Sequence, residues 1–446
     1  VACRKEKWND RNKPALTDNL LETIHANPEL SRFYEYLVKT GYDKVLASSR
    51  TFTVWAPVNA AWDAVDPAWL NDTVQLRLLV GNHIATQAYT GTATARKVAS
   101  LNGKKIGFTA TTIEDIPIST AGQYTANGVL QVIDAAIIPK PNAWEYLNST
   151  GYQQKDYLHT LAYIGIDTSK AEQVGVNPTT GAPIYKPGTG EVQLNRFLER
   201  ININSEDSLL TYVILADDVF TREQQQLARF YTDSTDFLTD STTKWHIVRD
   251  LVFNGVYDKE HLPAVMYSIR DSVQFHINSS DIISTKTVSN GVVYVVNHIS
   301  YELPSKIKPV IIEGEYFTAL RDATKAYSIR TRVSPATGST FRDFFITGHA
   351  ITSYWVQYRA RVSSVSYKVY WVAVNDFQTS TFSMRVAFKD PAVTTLPYTT
   401  VDLTKYDEIY LGDYTADRYG MLDVYLVANG TTPLVLDYIK LVPILN

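Results

Sequence analysis

The chain has 446 residues, of which 45% are hydrophobic and 20% charged, with a formal net charge of -4. Its length exceeds what one ordinary core fills, so two or three domains are expected, and the composition excludes a disordered chain. A net negative charge without clustered Lys and Arg excludes a nucleic-acid partner, since phosphate binding requires such clusters. A single cysteine excludes an internal disulfide, so packing and hydrogen bonds carry the stability. The 29 tyrosines, with 8 Trp and 16 Phe, favour strands and ligand-contacting surfaces.

The chain opens VACRKEKWNDRNK. Two readings of Cys3 stand: an incidental terminal thiol, or a lipidated residue. Small residues before a cysteine resemble the end of a bacterial lipoprotein signal, and the resemblance implies acylation of Cys3. Arg4, Lys5, Lys7, Arg11 and Lys13 set against Glu6 and Asp10 are too polar for a core, so residues 1–15 read as a tether. No run of about 18 apolar residues occurs, so any attachment to a membrane would come through lipid.

Residues 16–46 have a helical period, with Asp18 as the expected cap before Leu21, Ile24, Phe33, Leu37 and Val45. TFTVWAPVNAAWDAV then reads as a buried strand ended by Pro57 and followed by a helix. LNGKKIGF and NGVLQVIDAAIIP are strands entered through Asn102-Gly103 and Asn127-Gly128, both hairpin signals. The same landmarks return. From His83 to His246 is 163 positions, from Asn127 to Asn290 is 163 again, and from Pro139 to Pro304 is 165. The spacing predicts a duplicated domain. The second copy carries GVNPTTGAPIYKPGTG at 175–190, whose glycines and prolines predict an inserted, irregular surface loop.

TFTVWAPVNAAWDAV, LLVGNHI and NGVLQVIDAAIIP resemble the strand-proline-helix, central histidine and Asn-Gly blocks of the fasciclin domain. The match runs over about residues 16–147. Residues 148–305 keep WHIVRDLVFNGVY and NGVVYVVNHISYELP but have YVILADDVF where a proline is expected, a divergent second copy. The resemblance implies a wedge of strands flanked by helices and a family of adhesion and binding rather than catalysis. Asn82 and Trp245 precede the two histidines, where some animal members of the family carry an adhesive tyrosine.

Beyond residue 306 the chain alternates without helical period, which predicts an all-β sandwich over 306–446. In SYWVQYRARV, period two puts Tyr354, Val356, Tyr358, Ala360 and Val362 on the core face and Gln357, Arg359 and Arg361 outside. VIIEGEYF and LVLDYIKLVPI together resemble jelly-roll carbohydrate-binding modules. The expected fold is thus α+β: two tandem fasciclin-like domains, then an all-β jelly-roll sandwich.

Several residues invite a chemical reading. Asp437 falls in phase with Val435, Ile439 and Leu441, so its carboxylate faces inward and needs a partner. The module resemblance implies a calcium ion shared with Glu315, or with Glu313 in its place; a salt bridge to Arg or a hydrogen bond to a turn is the alternative. Trp355, Tyr370 and Trp371 are either sugar-stacking rings or core. His83 and His246 lack the neighbours of a metal set or a triad and read as core histidines. Asp217 and Asp218, read as strand neighbours, point opposite ways and share no proton. No Gly-x-Ser-x-Gly, phosphate loop or Gly-x-Gly-x-x-Gly occurs.

The expected function is therefore non-catalytic binding by a lipid-anchored protein at the surface of a Gram-negative outer membrane. By resemblance its partners would be a TonB-dependent transporter, a substrate-binding lipoprotein and a glycan or peptide. An adhesin for matrix polymer or cells is the alternative; a glycoside-active enzyme, needing a placed pair of acids, comes last.

Overall fold

The computed structural model describes residues 17–89, 94, 96–335 and 337–445. The first helix, Leu20–His25, starts one residue later than expected. The Asn19 side chain accepts from the Glu22 N–H while the Glu22 carboxylate accepts from the Asn19 N–H, a reciprocal box that Asp18 could not form with Leu21. Helix Ser31–Thr40 stops at Gly41, whose φ of 75° lies in the left-handed region that favours glycine. Strand Phe52–Pro57 is buried along its whole length because it has a strand on each side in a seven-stranded sheet and side chains packed on both faces. It runs parallel to Gly128–Ile133, with Phe52 opposite Gly128, and antiparallel to Ile84–Ala85. Helices pack Leu20, Phe33, Leu37, Trp62 and Leu79 on one face of this sheet. Trp55, Val98 and Phe108 fill the other.

The second unit repeats this arrangement in detail. Strand Leu210–Leu215 is parallel to Gly291–Val296, with Leu210 opposite Gly291. The Asn127 carbonyl oxygen accepts from the Leu20 N–H at 2.8 Å, and its amide donates to the Leu46 and Ser48 carbonyls at 2.7 and 3.0 Å. Asn290 does the same for Ala143, Ile203 and Ser205 at 2.9, 2.9 and 3.0 Å. The glycines that follow are needed for close approach: a Cβ on Gly128 would lie 2.0 Å from the Phe52 carbonyl oxygen, and one on Gly291 1.8 Å from that of Leu210. The Asn-Gly pairs are thus not the central residues of their turns. Thr125 pairs with Gly128 and Val288 with Gly291, so the turns are Ala126-Asn127 and Ser289-Asn290, and each glycine opens the next strand.

The stretch 175–190 is regular, against expectation. Ala162–Ile166 pairs with Glu191–Asn195, and Gln173–Val176 with Pro183–Tyr185, giving two short ribbons. Gly181, Gly188 and Gly190, all at positive φ, sit in the connections between and after the strands. Asp217 and Asp218 open helix Asp217–Leu227 rather than lying on a strand. Asp217 accepts from the Gln153 N–H at 2.9 Å, and Asp218 pairs with Arg222 one turn on.

In the last unit, a four-stranded sheet orders Val310–Glu313, Tyr438–Pro443, Ser366–Val372 and Ile409–Thr415. A five-stranded sheet orders Ala319–Leu320, Trp355–Val362, Gly420–Ala428, Phe382–Phe388 and Thr399–Val401. Val356, Tyr358, Ala360 and Val362 are buried between them and Arg359 and Arg361 exposed, as period two requires. The units are tied together. Lys104 meets Glu206 at 2.8 Å and Glu145 at 2.5 Å across the first junction. At the second, the Tyr419 N–H donates to the Thr232 carbonyl at 2.7 Å and the Ser364 N–H to that of Phe230 at 2.9 Å. Among the described residues, no helix is long and apolar enough to cross a membrane.

Candidate functional site

The outer face of the four-stranded sheet presents a row of side chains, one from each strand. Register places Ile311 beside Lys440, Lys440 beside Tyr370 and Tyr370 beside Tyr410. The Tyr370 and Tyr410 rings lie 5.4 Å apart, and Tyr410 is 51% exposed. Their surroundings are polar and fixed. The Tyr410 hydroxyl donates to Asp413 at 2.7 Å, which raises its pKa. The Tyr438 hydroxyl donates to Glu408 at 2.8 Å, and Lys440 donates to the same carboxylate at 2.9 Å. Burial and that carboxylate push the Tyr438 phenol up, so it stays a donor. An exposed tyrosine ring beside a half-buried one, bordered by oriented charges, can pack against the C–H face of a sugar ring and bond its hydroxyls.

The three aromatics picked from the sequence do not converge. Tyr370 is in this row. Trp371 is 1% exposed: it shares parity with Tyr367 and Val369 and packs between the sheets, so it cannot stack on a ligand. Trp355 stands on the outer face of the other sheet, half-buried edge-on against Tyr425 at 5.4 Å beside Ala387 and Val427. Tyr410 and Tyr438 escaped sequence reading. Alternation in IYLGDYT gives the face of Tyr410, but the neighbour opposite it is set by register across strands distant in sequence.

Asp437 is buried, and burial followed by the charges of Glu313, Asp343 and Glu315 raises its pKa to about 7. Burial and Glu315 likewise raise Glu313. The chain therefore does bring Glu315 and Asp437 within electrostatic reach. One Glu315 oxygen has no hydrogen-bond partner and the other is 3.9 Å from Arg342, while Asp343 is occupied by Arg330 and Arg332. A calcium ion would need several oxygens converging on one point. Among the described residues no group of three or more His, Cys, Asp or Glu is placed to hold a metal ion.

His83 is fully buried. It bonds the Leu79 carbonyl through Nδ1 and accepts the Ile137 N–H through Nε2, both at 2.8 Å, which fixes one neutral tautomer. Burial holds its pKa down to about 4. His246 stacks on Tyr231 at 3.9 Å and meets the Tyr419 hydroxyl at 2.9 Å; burial, then Arg249, Lys306 and Arg361, keep it neutral. A cleft of about 580 Å³ has one carboxylate in its wall, Glu223, whose pKa burial raises and to which the Tyr301 hydroxyl donates at 2.8 Å. Cys3 lies outside the described residues.

The architecture defines a modular protein: an α+β unit, its structural repeat, and an all-β sandwich with an open aromatic face. The fasciclin domain model matches residues 28–139, so the first unit is a fasciclin domain. Among solved structures, the FAS1 domain pair of the insect cell adhesion molecule fasciclin I is similar over 63% of this chain and 99% of that one, at 14% identity and a TM-score of 0.25. The family 35 carbohydrate-binding module of Clostridium thermocellum is similar over 30% of this chain and 97% of its own, at 16% identity and a TM-score of 0.22. That of Paenibacillus barcinonensis covers 30% and 99%, at 16% identity and a TM-score of 0.24. No curated protein matches the chain.

Proposed function

We propose that this protein is a non-catalytic binding protein that holds glycan on the outer face of its terminal sandwich. The observation that carries this is the Tyr370–Tyr410 pair on that face, 5.4 Å between ring centroids, with Tyr410 exposed and Tyr370 half-buried, bordered by the Glu408–Lys440 ion pair. Such a face offers stacking and hydrogen bonding to a sugar. The two-carboxylate route to glycoside hydrolysis needs a facing pair of acids, and the cleft of about 580 Å³ is lined by one carboxylate, Glu223. Retention on a glycan array, with loss in the full chain carrying Tyr370→Ala and Tyr410→Ala, is the expected result. No retained glycan, or retention unchanged in that variant, overturns it.

The protein would work at the surface of a Gram-negative outer membrane, acylated at Cys3, as an accessory subunit beside a TonB-dependent transporter and its substrate-binding lipoprotein. Mass spectrometry of the native amino terminus tests the anchor: an unmodified Cys3 removes it. Pulldown from detergent-solubilised membranes without a transporter removes the second part. The fasciclin match over residues 28–139 favours a second reading, an adhesin, which predicts binding to cells or matrix by purified protein alone.

A further inference from the structure

The ribbons at 162–195 have two unlike edges. Strands Ala162–Ile166 and Glu191–Asn195 pair with each other and, among the described residues, with no other strand. The Arg196 N–H donates to the Leu161 carbonyl at 3.1 Å, and the Asp167 N–H to that of Gly190 at 2.8 Å. Antiparallel bonding alternates, so Tyr163 and Gly165 bond across the ribbon while Ala162, Ile164 and Ile166 turn their N–H and C=O groups outward. By the same alternation the returning strand turns out the backbone of Glu191, Gln193 and Asn195.

An open edge is a template for another strand, and proteins ordinarily blunt it with charge or proline. The returning edge is blunted: Glu191 and Gln193 stand exposed on it. In the ribbon beyond, Val176 lies opposite Pro183, which has no N–H to offer. The outgoing edge has no such protection. Ile164 and Ile166 are 65% and 52% exposed, and the strand AYIGI carries no charge. A two-stranded ribbon alone is marginal in water, and further strands stabilise it.

Only a strand can satisfy such a row of backbone groups, and AYIGI is complementary to itself. Laid antiparallel on a second copy with the two-fold axis at Ile164, all five residues pair. Ile164 exchanges both backbone bonds with the copy's Ile164. Ala162 stands opposite the copy's Ile166, and Tyr163 opposite its Gly165, so large meets small at each unlike pair. The Tyr163 ring, held in its own chain by Glu199 and lying under Arg196, keeps its place, because glycine sets no side chain directly against it. Ile164 and Ile166 of both copies gather on one face of the joined sheet. We infer that this edge is a homodimer interface, in which strand Ala162–Ile166 of two copies joins their ribbons into one four-stranded antiparallel sheet.

Sedimentation velocity of the full chain over about a hundredfold range of concentration tests it. The expected result is a monomer–dimer equilibrium that shifts to dimer as concentration rises. Ile164→Lys sets like charges opposite each other at the axis and weakens the dimer about tenfold or more, and Ile164→Glu does the same. Because residue 164 pairs with its own counterpart, an equal mixture of the two variants regains association as a heterodimer. Val333→Lys, at an aliphatic of the sandwich that is 60% exposed, leaves the dimer unchanged. The inference fails if the chain stays monomeric throughout, if Ile164→Lys dimerises like the parent, if Val333→Lys weakens the dimer as much, or if the mixed Lys and Glu variants remain monomeric.

Discussion

The imidazole of His246 and the hydroxyl of Tyr419 lie 2.9 Å apart across the boundary between the second unit and the sandwich. The ring is otherwise held by stacking on Tyr231, and its Nδ1 is already without a partner. Tyr419→Phe would leave both nitrogens of a buried imidazole unsatisfied while keeping the aromatic contact. The expected cost is about 1–2 kcal/mol, read as a lower urea midpoint at unchanged slope. An unaltered midpoint would mean that the backbone bonds of Ser364 and Tyr419 alone fix this junction.

The paired asparagines give a sharper test, because each closes three hydrogen bonds, two of them buried, and organises the start of its unit. Asn127→Ala or Asn290→Ala should destabilise by about 3 kcal/mol, since one donor and two acceptors are stranded in each case. Asp at either position should be worse near neutral pH, because a carboxylate oxygen would then face two carbonyl oxygens. Denaturation of the four variants checks the order; Asp variants as stable as Ala would contradict the geometry.

These asparagines also show what the sequence could and could not say. The spacing of 163 exposed the duplication because both copies keep the same Asn, Gly and His in the same places. The reason for the asparagine was hidden: its partners, Leu20 and Leu46 in one copy and Ala143 and Ile203 in the other, are distant along the chain. Glycine and proline at 175–190 were misleading, because the same residues that mark loops also make the turns of short ribbons. In the sandwich, period two sorted the faces of Trp355–Val362 correctly. It gave no means of seeing that Trp371 faces the core and Tyr370 the solvent, since which parity is buried depends on the sheet packed above. A pocket of about 310 Å³ at the junction of the second unit and the sandwich was invisible because its walls come from residues as far apart as Tyr157, Arg200, His246, Arg361 and Tyr419.

Asp437 should make the sandwich less stable as pH rises. Its carboxyl is raised from 3.8 to about 7, so between these values the folded state holds a proton that the unfolded chain releases. That contribution is full below about pH 4 and lost through pH 7, on the order of 3 kcal/mol. Asp437→Asn should therefore stabilise the protein at pH 8 and change little at pH 4.5, as measured by thermal unfolding in chelator. Equal effects at both pH values would show that the carboxylate is relieved by a partner.

His83 should drive the first unit in the opposite direction. Burial depresses its pKa from 6.5 to about 4, and the Leu79 carbonyl and Ile137 N–H fit only the neutral ring. Between pH 6.5 and 4 the unfolded chain takes up a proton that the folded unit refuses, so stability present above 6.5 falls on acidification. The loss by pH 4 is on the order of 3 kcal/mol. Hydrogen exchange of the helix Thr73–Gly81, which carries the Leu79 carbonyl, should accelerate from pH 6.5 to 4.5 after correction for intrinsic rates, while strands of the sandwich become better protected. A His83→Gln variant, able to donate to one partner and accept from the other, should start less stable and lose this slope. If the helix stays equally protected at both pH values, the neutral buried imidazole is not what couples this unit to acid.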